Sequence, residues 1–533
     1  MTESDEKKMN RKGYLELSDS HTLNGKDHRQ GNGSYQLGDD EAEPIPVPSI
    51  GIKANLDDDE REDIEEESGL TILMSLHQYN LIMWQHSTDD DDCKDEETGS
   101  MASSIFNILN TIIGAGIIEQ GFDGQITDVT KLILGIPYSF RLAGLGLGII
   151  ILTLVAIISD YGLIMLIKAG TITDENSYRG VMTAAFGKPG HVIALLTQFL
   201  YPFIALMGYC VVVGDIFTKV FRLFGDDGNL LTNRQFVISA AILLIMGPLC
   251  YMKKISKLGW TSCLSFICVV ILVIVAVIRV ATLETYMYLE SQSIQFAAPK
   301  VPQALAIMQF TFVCHYNIFI VYRFMKKKSE ERISRACHTA VGISYLLCLV
   351  LGIAGYLTFL DATQADILQN YCVHDVLVNV ARICYGISVM TIYPLDCFAC
   401  RETADQALFP DRPKSTLRRV VITTCVILGS LPVPLITSCL GTVLELNGSL
   451  TAAPIGFIFP AACYLKIAKG SLISPSKLAA GFIVVLGTFA SFLGTIYAII
   501  GAKGCGHHVL NPWCNETMFS NDSYITILNN TLK

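Results

Sequence analysis

Residues 107–118 read Asn-Ile-Leu-Asn-Thr-Ile-Ile-Gly-Ala-Gly-Ile-Ile, so two asparagines and a Gly-x-Gly interrupt an otherwise apolar run. Glycine weakens a helix, and backbone groups freed at membrane depth are tolerated only where protein or a watery cavity meets them. Gly114, Ala115 and Gly116 therefore predict an unwound segment that lines a binding site. The alternative is close helix packing through small residues, which a Gly-x-Gly taken alone also fits.

The composition of the chain around this stretch is that of a membrane protein. Of its 533 residues, 51% are hydrophobic and 17% are charged, and the mean hydropathy is +0.44. An ordinary soluble domain carries about 25% charged residues, so this chain is too apolar and too sparsely charged for that class. The sequence predicts an all-α polytopic membrane protein.

Apolar runs long enough to cross a bilayer recur along the chain after residue 100. A crossing helix needs about 20 predominantly apolar residues. By this measure we predict eleven helices, near 102–118 continuing to 140, 143–168, 191–217, 236–252, 260–280, 302–324, 339–360, 378–400, 420–438, 441–465 and 479–501. An odd number of crossings puts the two termini on opposite sides of the membrane.

The first 100 residues differ in charge from the rest of the chain. They hold 26 of the 49 acidic residues but only 9 of the 39 basic ones, so they carry −17 and the remainder +7. Nearly pure carboxylate runs at 57–67 and 89–97 repel themselves and cannot pack a core. We predict a mostly disordered tail, with one apolar run at 70–84 that is too short to span and suits a peripheral amphipathic helix.

Two independent signals orient the helices. Short cytosolic loops carry an excess of Lys and Arg, and the set of alternate loops that includes 326–328 and 412–419 holds the larger share. After the last helix, sequons at Asn515, Asn521 and Asn529 lie close together, and such sites are glycosylated only on the lumenal face. We therefore predict a cytosolic amino terminus and an extracellular or lumenal carboxyl terminus.

These signals divide the chain into three parts. The predicted parts are a disordered cytosolic tail over 1–100, a transmembrane domain over 101–501 and a glycosylated extracellular or lumenal tail over 502–533. Within the last part, Cys505 and Cys514 face an oxidising compartment and are close in sequence, so we predict a disulfide between them. Cys372 lies on the same face and is the competing partner.

A second interruption occurs five predicted helices after the first. Residues 310–317, Phe-Thr-Phe-Val-Cys-His-Tyr-Asn, again place polar groups inside an apolar helix. Interruptions at equivalent positions of two halves point to an inverted-repeat transporter with a binding site near the bilayer midplane. His315 and Asn317 are accordingly candidate substrate-binding residues, although a histidine that bonds between helices fits His315 equally well.

Four carboxylates fall within or beside the predicted helices. We expect Asp160, Asp215 and Asp396 near helix ends. Glu445 should lie deeper and needs a hydrogen-bonding partner, because a charge there costs about 2.5–3.5 kcal/mol on insertion scales. The sequence shows no nucleophile and base pair, metal-spaced cluster or phosphate loop that stands out, so it favours transport or binding over catalysis.

Five motifs in a fixed order give the chain a resemblance to a family of carriers. Residues 107–118 and 312–317 are two of them, and the others are Gly135-Ile-Pro-Tyr-Ser, Gly355-Tyr-Leu-Thr-Phe and Leu444-Glu-Leu-Asn-Gly. From residue 102 to the carboxyl terminus, the chain resembles the sodium-coupled neutral amino acid transporters of solute carrier family 38, in the amino acid/auxin permease superfamily. The acidic tail lies outside the resemblance.

The resemblance implies eleven helices, arranged as two five-helix inverted repeats of the LeuT-like type plus one further helix. It also implies a sodium ion and an amino acid held between the broken first helix and its partners. Asn110 matches the family's sodium-site asparagine, and the companion hydroxyl in the eighth helix is either Ser388 or Thr391. Residues 119–134 interrupt the family pattern after the Gly-x-Gly and form an unusual insert.

Together these observations predict secondary active transport of small neutral amino acids by sodium symport, with no other cofactor. The amides at Gly114 to Gly116 would receive the substrate carboxylate. The expected partners are the amino acid, sodium and the lipid bilayer, with no nucleic acid. A proton-coupled carrier, with His315 or Glu445 titrating, and a sensor that binds amino acid without transporting it are the alternatives. The expected location is the plasma membrane or an endolysosomal membrane.

Overall fold

The computed structural model describes most of the predicted transmembrane domain. The described residues are 101, 104, 105, 108, 109, 133–224, 229–252, 259–282, 294–325, 327–410, 412, 413, 415–471, 473–501 and 514. Asn107, Asn110 and Gly114 to Gly116 lie outside them, as do the acidic tail, the three sequons and Cys505.

Helices make up nearly all the regular structure of the described residues. They are α1 (Ile136–Ala143), α2 (Leu145–Thr173), α3 (Tyr178–Phe221), α4 (Arg234–Cys250), α5 (Gly259–Thr282), α6 (Val301–Thr311), α7 (Ile318–Phe324), α8 (Glu330–Phe359), α9 (Val376–Leu408), α10 (Thr416–Ser430), α11 (Pro432–Ile436), α12 (Leu440–Ile467) and α13 (Pro475–Gly501).

Nine segments of the described chain are long and apolar enough to cross a membrane. One of them runs from α6 into α7, another joins α10 to α11, and α4 is a shorter apolar helix. The prediction of an all-α polytopic membrane protein is confirmed. The count of eleven helices and the inverted repeat stay predictions, because the first predicted span lies largely outside the described residues.

Two helical segments begin well before the apolar runs that predicted them. α3 begins at Tyr178, where the side chain of Ser177 caps it by accepting a hydrogen bond from the Gly180 amide at 3.0 Å. Gly187, with a φ of +66°, kinks α3 shortly before the apolar run. α8 begins at Glu330, and negative charge in a first turn is favourable beside the helix dipole. Hydropathy locates the apolar middle of a helix, whereas capping and charge decide where it begins.

Large apolar side chains remain exposed along α13. Phe482, Phe489 and Phe492 are 65%, 61% and 64% exposed, and their spacing of seven and three residues places them on one face of the helix. Such a wide apolar stripe would be a liability in water but is what lipid tails contact. The exposed surface of this helix therefore agrees with the membrane assignment.

The loop 360–375, which joins α8 to α9, is a meeting point of helix ends. Lys219 Nζ, at the end of α3, donates to the carbonyl oxygen of Gln369 at 2.6 Å. Arg279, at the end of α5, pairs with Asp375 at 2.5 Å. The ends of α3 and α5 thus meet the start of α9, as helices of alternating direction require. We call this loop, with Lys219, Arg279 and Arg382, the outer cluster, because it lies at the predicted outer face.

Arg382 holds the outer cluster together from the second turn of α9. Its guanidinium is fully buried and donates to the carbonyl oxygens of Leu368 at 2.7 Å, Tyr371 at 2.8 Å and Cys372 at 3.1 Å. It also donates to the side chain of Asn379. Loop carbonyls have no helical partner, so a fork of five donors satisfies several of them at once.

The predicted pairing of Cys505 with Cys514 is wrong. Cys514 is bonded to Cys372, the competing partner, and the two are 142 residues apart in sequence. Arg382 holds the backbone at Cys372, so the pairing depends on which segments meet in space and not on nearness along the chain. Cys505 itself lies outside the described residues, and Cys439, just before α12, is disulfide-bonded as well.

Candidate functional site

The predicted span 302–324 is broken in its middle, where the polar pattern of 310–317 indicated a break. α6 ends at Thr311, the chain leaves the helical conformation after it, and His315–Asn317 forms a single 3₁₀ turn before α7. The carbonyl oxygen of Phe312 accepts a hydrogen bond from Oγ of Ser159, on α2, at 2.8 Å. Backbone groups freed at membrane depth must be satisfied by protein, and Ser159 satisfies this one although the break contains neither glycine nor proline.

His315 fills the junction between α2 and α12. Its ring is fully buried, and Nε2 lies 3.0 Å from the carbonyl oxygen of Ser159. Gly162 on α2 and Gly456 on α12 leave room for the ring, because a Cβ built on Gly162 would lie 2.9 Å from Nε2 and one built on Gly456 would lie 3.4 Å from the ring. This geometry supports the interhelical role that the sequence left open for His315.

A small cavity lies between the break, α3, α9 and α12. Its described lining is Gln198, Tyr201, Pro202, Tyr316, Asn317, Ala399, Thr403 and Ile455, and none of these residues carries a formal charge. Its volume is about 10 Å³, roughly what one water molecule needs. Of the two candidates in the break, Asn317 lies in this lining and His315 does not.

Two polar side chains of α3 bring unused hydrogen-bonding groups to this cavity. Gln198 is 8% exposed and Tyr201 is 1% exposed. Neither Oε1 of Gln198 nor the hydroxyl of Tyr201 has a hydrogen-bond partner within the described part of the chain. Other buried atoms of the described residues also lack a partner, but these two belong to residues three apart on the lining of one cavity, which makes them a candidate binding position. Pro202 follows at once and lacks the N–H that would bond the Gln198 carbonyl, which weakens the helix here.

The wall that α12 contributes is wound more loosely than an α-helix. Its turns at Gly448–Ala452 and Pro454–Ile458 are π-helical, a conformation that often marks functional sites. The hydroxyl of Tyr178 donates to the carbonyl oxygen of Ile455 at 2.8 Å, and Nδ2 of Asn447 donates to that of Tyr201 at 3.2 Å. Sequence reasoning missed Asn447, although it lies in the family motif that begins at Leu444.

The expected positions of the membrane carboxylates are wrong for three residues. Asp160 and Asp396 lie near the middle of α2 and α9 and not at helix ends, and Asp396 is fully buried beside Tyr209. Glu445 lies close to a helix end, in the second turn of α12, but it has the expected partner because it accepts a hydrogen bond from Nε2 of Gln303 at 2.9 Å. Apolar runs show that a helix crosses the membrane but not how deep each of its residues sits.

The two hydroxyls proposed for sodium differ in what they contact. Ser388 is fully buried and donates to Oγ of Ser265, on α5, at 2.6 Å. Thr391 is partly exposed and donates to the carbonyl oxygen of Ser388 on its own helix at 2.8 Å. Ser388 is therefore the hydroxyl that faces another helix. Asn110, the third candidate ligand, lies outside the described residues.

A helix broken at membrane depth, an uncharged polar cavity beside it and a multi-pass helical body are the features of a membrane transporter. The chain belongs to the transmembrane amino acid transporter protein family, which it matches over residues 127–501. It is 38% identical over 422 residues to "Putative sodium-coupled neutral amino acid transporter 11" of Danio rerio, a match that covers 79% of this chain and 91% of that protein. The resemblance to solute carrier family 38 is thereby confirmed.

More distant proteins match most of the chain as well. It is 27% identical over 382 residues to "Vacuolar amino acid transporter 2" of Saccharomyces cerevisiae, covering 69% of this chain and 76% of that protein. Among solved structures, MhsT in complex with L-phenylalanine has 15% identity and a TM-score of 0.45, covering 74% of this chain and 98% of that one. The family match begins at residue 127, so Asn110 and Gly114 to Gly116 precede the matched residues.

Proposed function

We propose that this protein carries small neutral amino acids across a membrane by sodium symport, with the substrate bound at the break between α6 and α7. The observation that carries the proposal is the cavity beside the interrupted helix, whose described lining is polar and uncharged and includes Asn317. A charged side chain placed there would lose its hydration without gaining a counter-charge from that lining. Membership of an amino acid transporter family supports the substrate class.

The charged ends of the amino acid need partners of their own. We place the substrate carboxylate at the amides of Gly114, Ala115 and Gly116, because free amides and the positive end of a half-helix favour an anion. These three residues lie outside the described part of the chain, so their assignment depends on the Gly-x-Gly motif. Asn317, in the lining of the cavity, is the second proposed substrate contact.

Sodium is the proposed coupling ion, held by Asn110 and a hydroxyl of α9. Amide and hydroxyl oxygens are hard ligands and suit a small hard cation. Ser388 is better supported than Thr391, because it is buried and reaches across to α5. One sodium ion moving down the membrane potential supplies about 2.3 kcal/mol per 100 mV, in addition to its concentration gradient. The names of relatives such as the one from Danio rerio support sodium coupling.

One observation favours proton coupling as the second candidate. Asp396 is fully buried in α9, one helical turn from Ala399 and beside Tyr209. Ionisable groups inside a membrane are costly and often belong to proton pathways. In a proton-coupled carrier, Asp396 would therefore take the role that the sequence offered to His315 or Glu445.

Uptake into proteoliposomes tests the proposed function directly. Purified protein, with and without residues 119–134, is reconstituted and supplied with labelled neutral amino acids under a sodium gradient, a proton gradient or neither. We expect accumulation only with the sodium gradient. Accumulation driven by the proton gradient alone would favour Asp396 as the coupling group. A protein that binds amino acid but shows no counterflow is a sensor and not a carrier.

The orientation and division of the chain belong to the same proposal. We place the tail 1–100 in the cytosol, the transporter domain at 101–501 and the tail 502–533 outside or in the lumen, with glycans on Asn515, Asn521 and Asn529. The clustered sequons and the Lys and Arg of the opposite loops support this arrangement. Glycosidase treatment of protein from a glycosylating cell should increase its mobility, and an unchanged band would contradict the orientation.

A further inference from the structure

We propose that Gln198 and Tyr201 select the substrate's side chain, favouring uncharged amino acids whose side chain carries an amide or a hydroxyl over apolar ones of the same size. This inference depends on the proposed function only in taking the cavity at the break as the substrate site. It concerns two residues of α3 that the sequence did not identify as candidate site residues.

The two residues line the same cavity. They are three residues apart on α3, so they share a face of the helix, and both line the cavity together with Asn317. Oε1 of Gln198 and the hydroxyl of Tyr201 have no hydrogen-bond partner within the described residues, although both side chains are more than nine-tenths buried. A fold tolerates such groups when a ligand completes their hydrogen bonding.

The chemistry of the two groups defines what would complete them. The amide oxygen of Gln198 accepts a hydrogen bond, and the hydroxyl of Tyr201 both donates and accepts. A carboxamide offers an N–H donor to the first and a carbonyl acceptor to the second, and an alcohol can bond to either. A site built to hydrogen-bond a substrate rejects an apolar analogue strongly, because its own buried groups are then left unpaired.

Charged side chains fit this cavity poorly. None of its described lining residues carries a formal charge. Asp396 is not one of the lining residues, but its carboxyl lies beside Tyr209 and interacts electrostatically with Tyr201. Glutamate would therefore enter close to another buried carboxyl, and lysine would find no counter-charge among the described lining residues themselves, which is unfavourable in a low-dielectric site.

The ring of Tyr201 has a structural role that must be separated from the role of its hydroxyl. The ring packs against Phe310 and Tyr316, with ring centroids 5.7 Å and 5.4 Å away. Tyr201→Phe retains these contacts and removes only the oxygen. Gln198→Met similarly keeps the length of the side chain while removing its acceptor. Both substitutions therefore test hydrogen bonding with little change in packing.

Asparagine and leucine are nearly isosteric and make a sharp pair of probes. In proteoliposomes, kcat/KM for uptake of each is measured for the wild type, Tyr201→Phe, Gln198→Met and a control, Tyr371→Phe. The control removes the hydroxyl of another buried tyrosine, one that packs against Phe359 in the outer cluster. We expect the wild type to prefer asparagine, each cavity variant to lose about tenfold of that preference, and the control to keep it.

A binding measurement keeps the inference testable if transport fails. Thermal stabilisation of the purified full chain by asparagine and by leucine is measured on the same four proteins. A preference for asparagine that disappears in Tyr201→Phe supports the selective role even if no variant transports, and in that case only the proposed function fails. Equal asparagine-to-leucine ratios in the wild type and both cavity variants would overturn the inference, whether or not the protein transports.

Discussion

The outer cluster and the cavity at the break handle buried polar groups in opposite ways. In the outer cluster, Arg382 bonds several loop oxygens at once, and Arg279 pairs with Asp375 at 2.5 Å. At the cavity, the described lining carries no formal charge, and neither Oε1 of Gln198 nor the hydroxyl of Tyr201 has a partner within the described residues. In the described part of the chain, the outer cluster also contains unpartnered atoms, such as Nε of Arg382, but many mutual bonds around a buried guanidinium hold it together, whereas the described lining of the cavity is uncharged.

We call the outer cluster the rigid frame of the protein, and we call the cavity at the break, with the helices that line it, the working part. Breaking a buried network exposes several unsatisfied groups together, so the loop 360–375 is costly to move. An interrupted helix has fewer backbone bonds to break, as between α6 and α7, and π-helical turns such as those of α12 often occur at functional sites. A carrier needs both properties, because its site must open to alternate sides while the surrounding helices keep their places.

The strongest test of the rigid frame is Arg382→Ala. Removing this guanidinium leaves the carbonyl oxygens of Leu368, Tyr371 and Cys372 without it, so we expect a loss of about 3–5 kcal/mol in the free energy of unfolding. Thermal stability in detergent, read by size-exclusion chromatography, measures the loss. The control is Arg335→Ala, whose side chain is 62% exposed beside Glu331 and should change stability by less than about 0.5 kcal/mol. Equal losses in the two variants would contradict the comparison.

The disulfide is the second support of the frame. Cys514→Ser should cost about 2–4 kcal/mol, because a bond between segments far apart in sequence constrains the unfolded chain. Cys425→Ser, at an exposed free cysteine, should leave the melting temperature unchanged. Non-reducing peptide mapping should recover the Cys372–Cys514 pair and identify the partner of Cys439. Recovery of Cys505 bonded to Cys514 would show that the pairing seen here is incorrect.

The stability that the loop 360–375 contributes should also depend on pH. Burial, together with the nearby carboxyl of Asp215, raises the pKa of Asp366 to about 7, although the Leu368 amide, Gln369 and Arg382 act in the opposite direction. Because the folded-state pKa lies above the unfolded value, the stability contributed by protonated Asp366 is complete at low pH and is lost as pH rises toward 7.

We therefore expect the melting temperature of the wild type to fall by a few degrees between pH 5 and pH 8, and Asp366→Asn to remove most of that fall. Lys219, which donates to the neighbouring Gln369 carbonyl, remains in both proteins. Asp361→Asn, at an exposed position of the same loop, is the matched control and should retain the wild-type profile. A profile unchanged in Asp366→Asn would rule out this carboxyl as the titrating group.

The smallest expected effect concerns sodium and the working part. Ser388→Ala and Asn110→Ala should each raise the half-saturating sodium concentration about tenfold, which corresponds to about 1.4 kcal/mol. Thr391→Ala should raise it less than about twofold, because that hydroxyl already bonds within its own helix. Uptake is measured against sodium concentration with protein lacking residues 119–134. An unchanged sodium response in Asn110→Ala, or a larger shift in Thr391→Ala than in Ser388→Ala, would reverse the assignment.

Parts of the candidate site could be predicted from sequence and parts could not. The break at 310–317 could be predicted because polar residues inside a long apolar run indicate a place where freed backbone groups meet protein or a watery cavity. The role of His315 could not be predicted, because its partner Ser159 is 156 residues away in sequence. Gln198 and Tyr201 were missed for the same reason, because a glutamine and a tyrosine within an apolar helix look alike whether or not their polar groups find a partner.

The sequence by itself determined that this chain is a multi-pass helical membrane protein, where most of its helices lie and where one of them breaks. These properties follow from hydropathy and local backbone chemistry, which act over a few turns of one segment. Only the tertiary structure decided that Cys514 pairs with Cys372, that Ser388 faces Ser265, and that Asp396 is buried at depth. Each of these depends on which helix faces which, because apolar sequence makes a helix enter the membrane without specifying its neighbour.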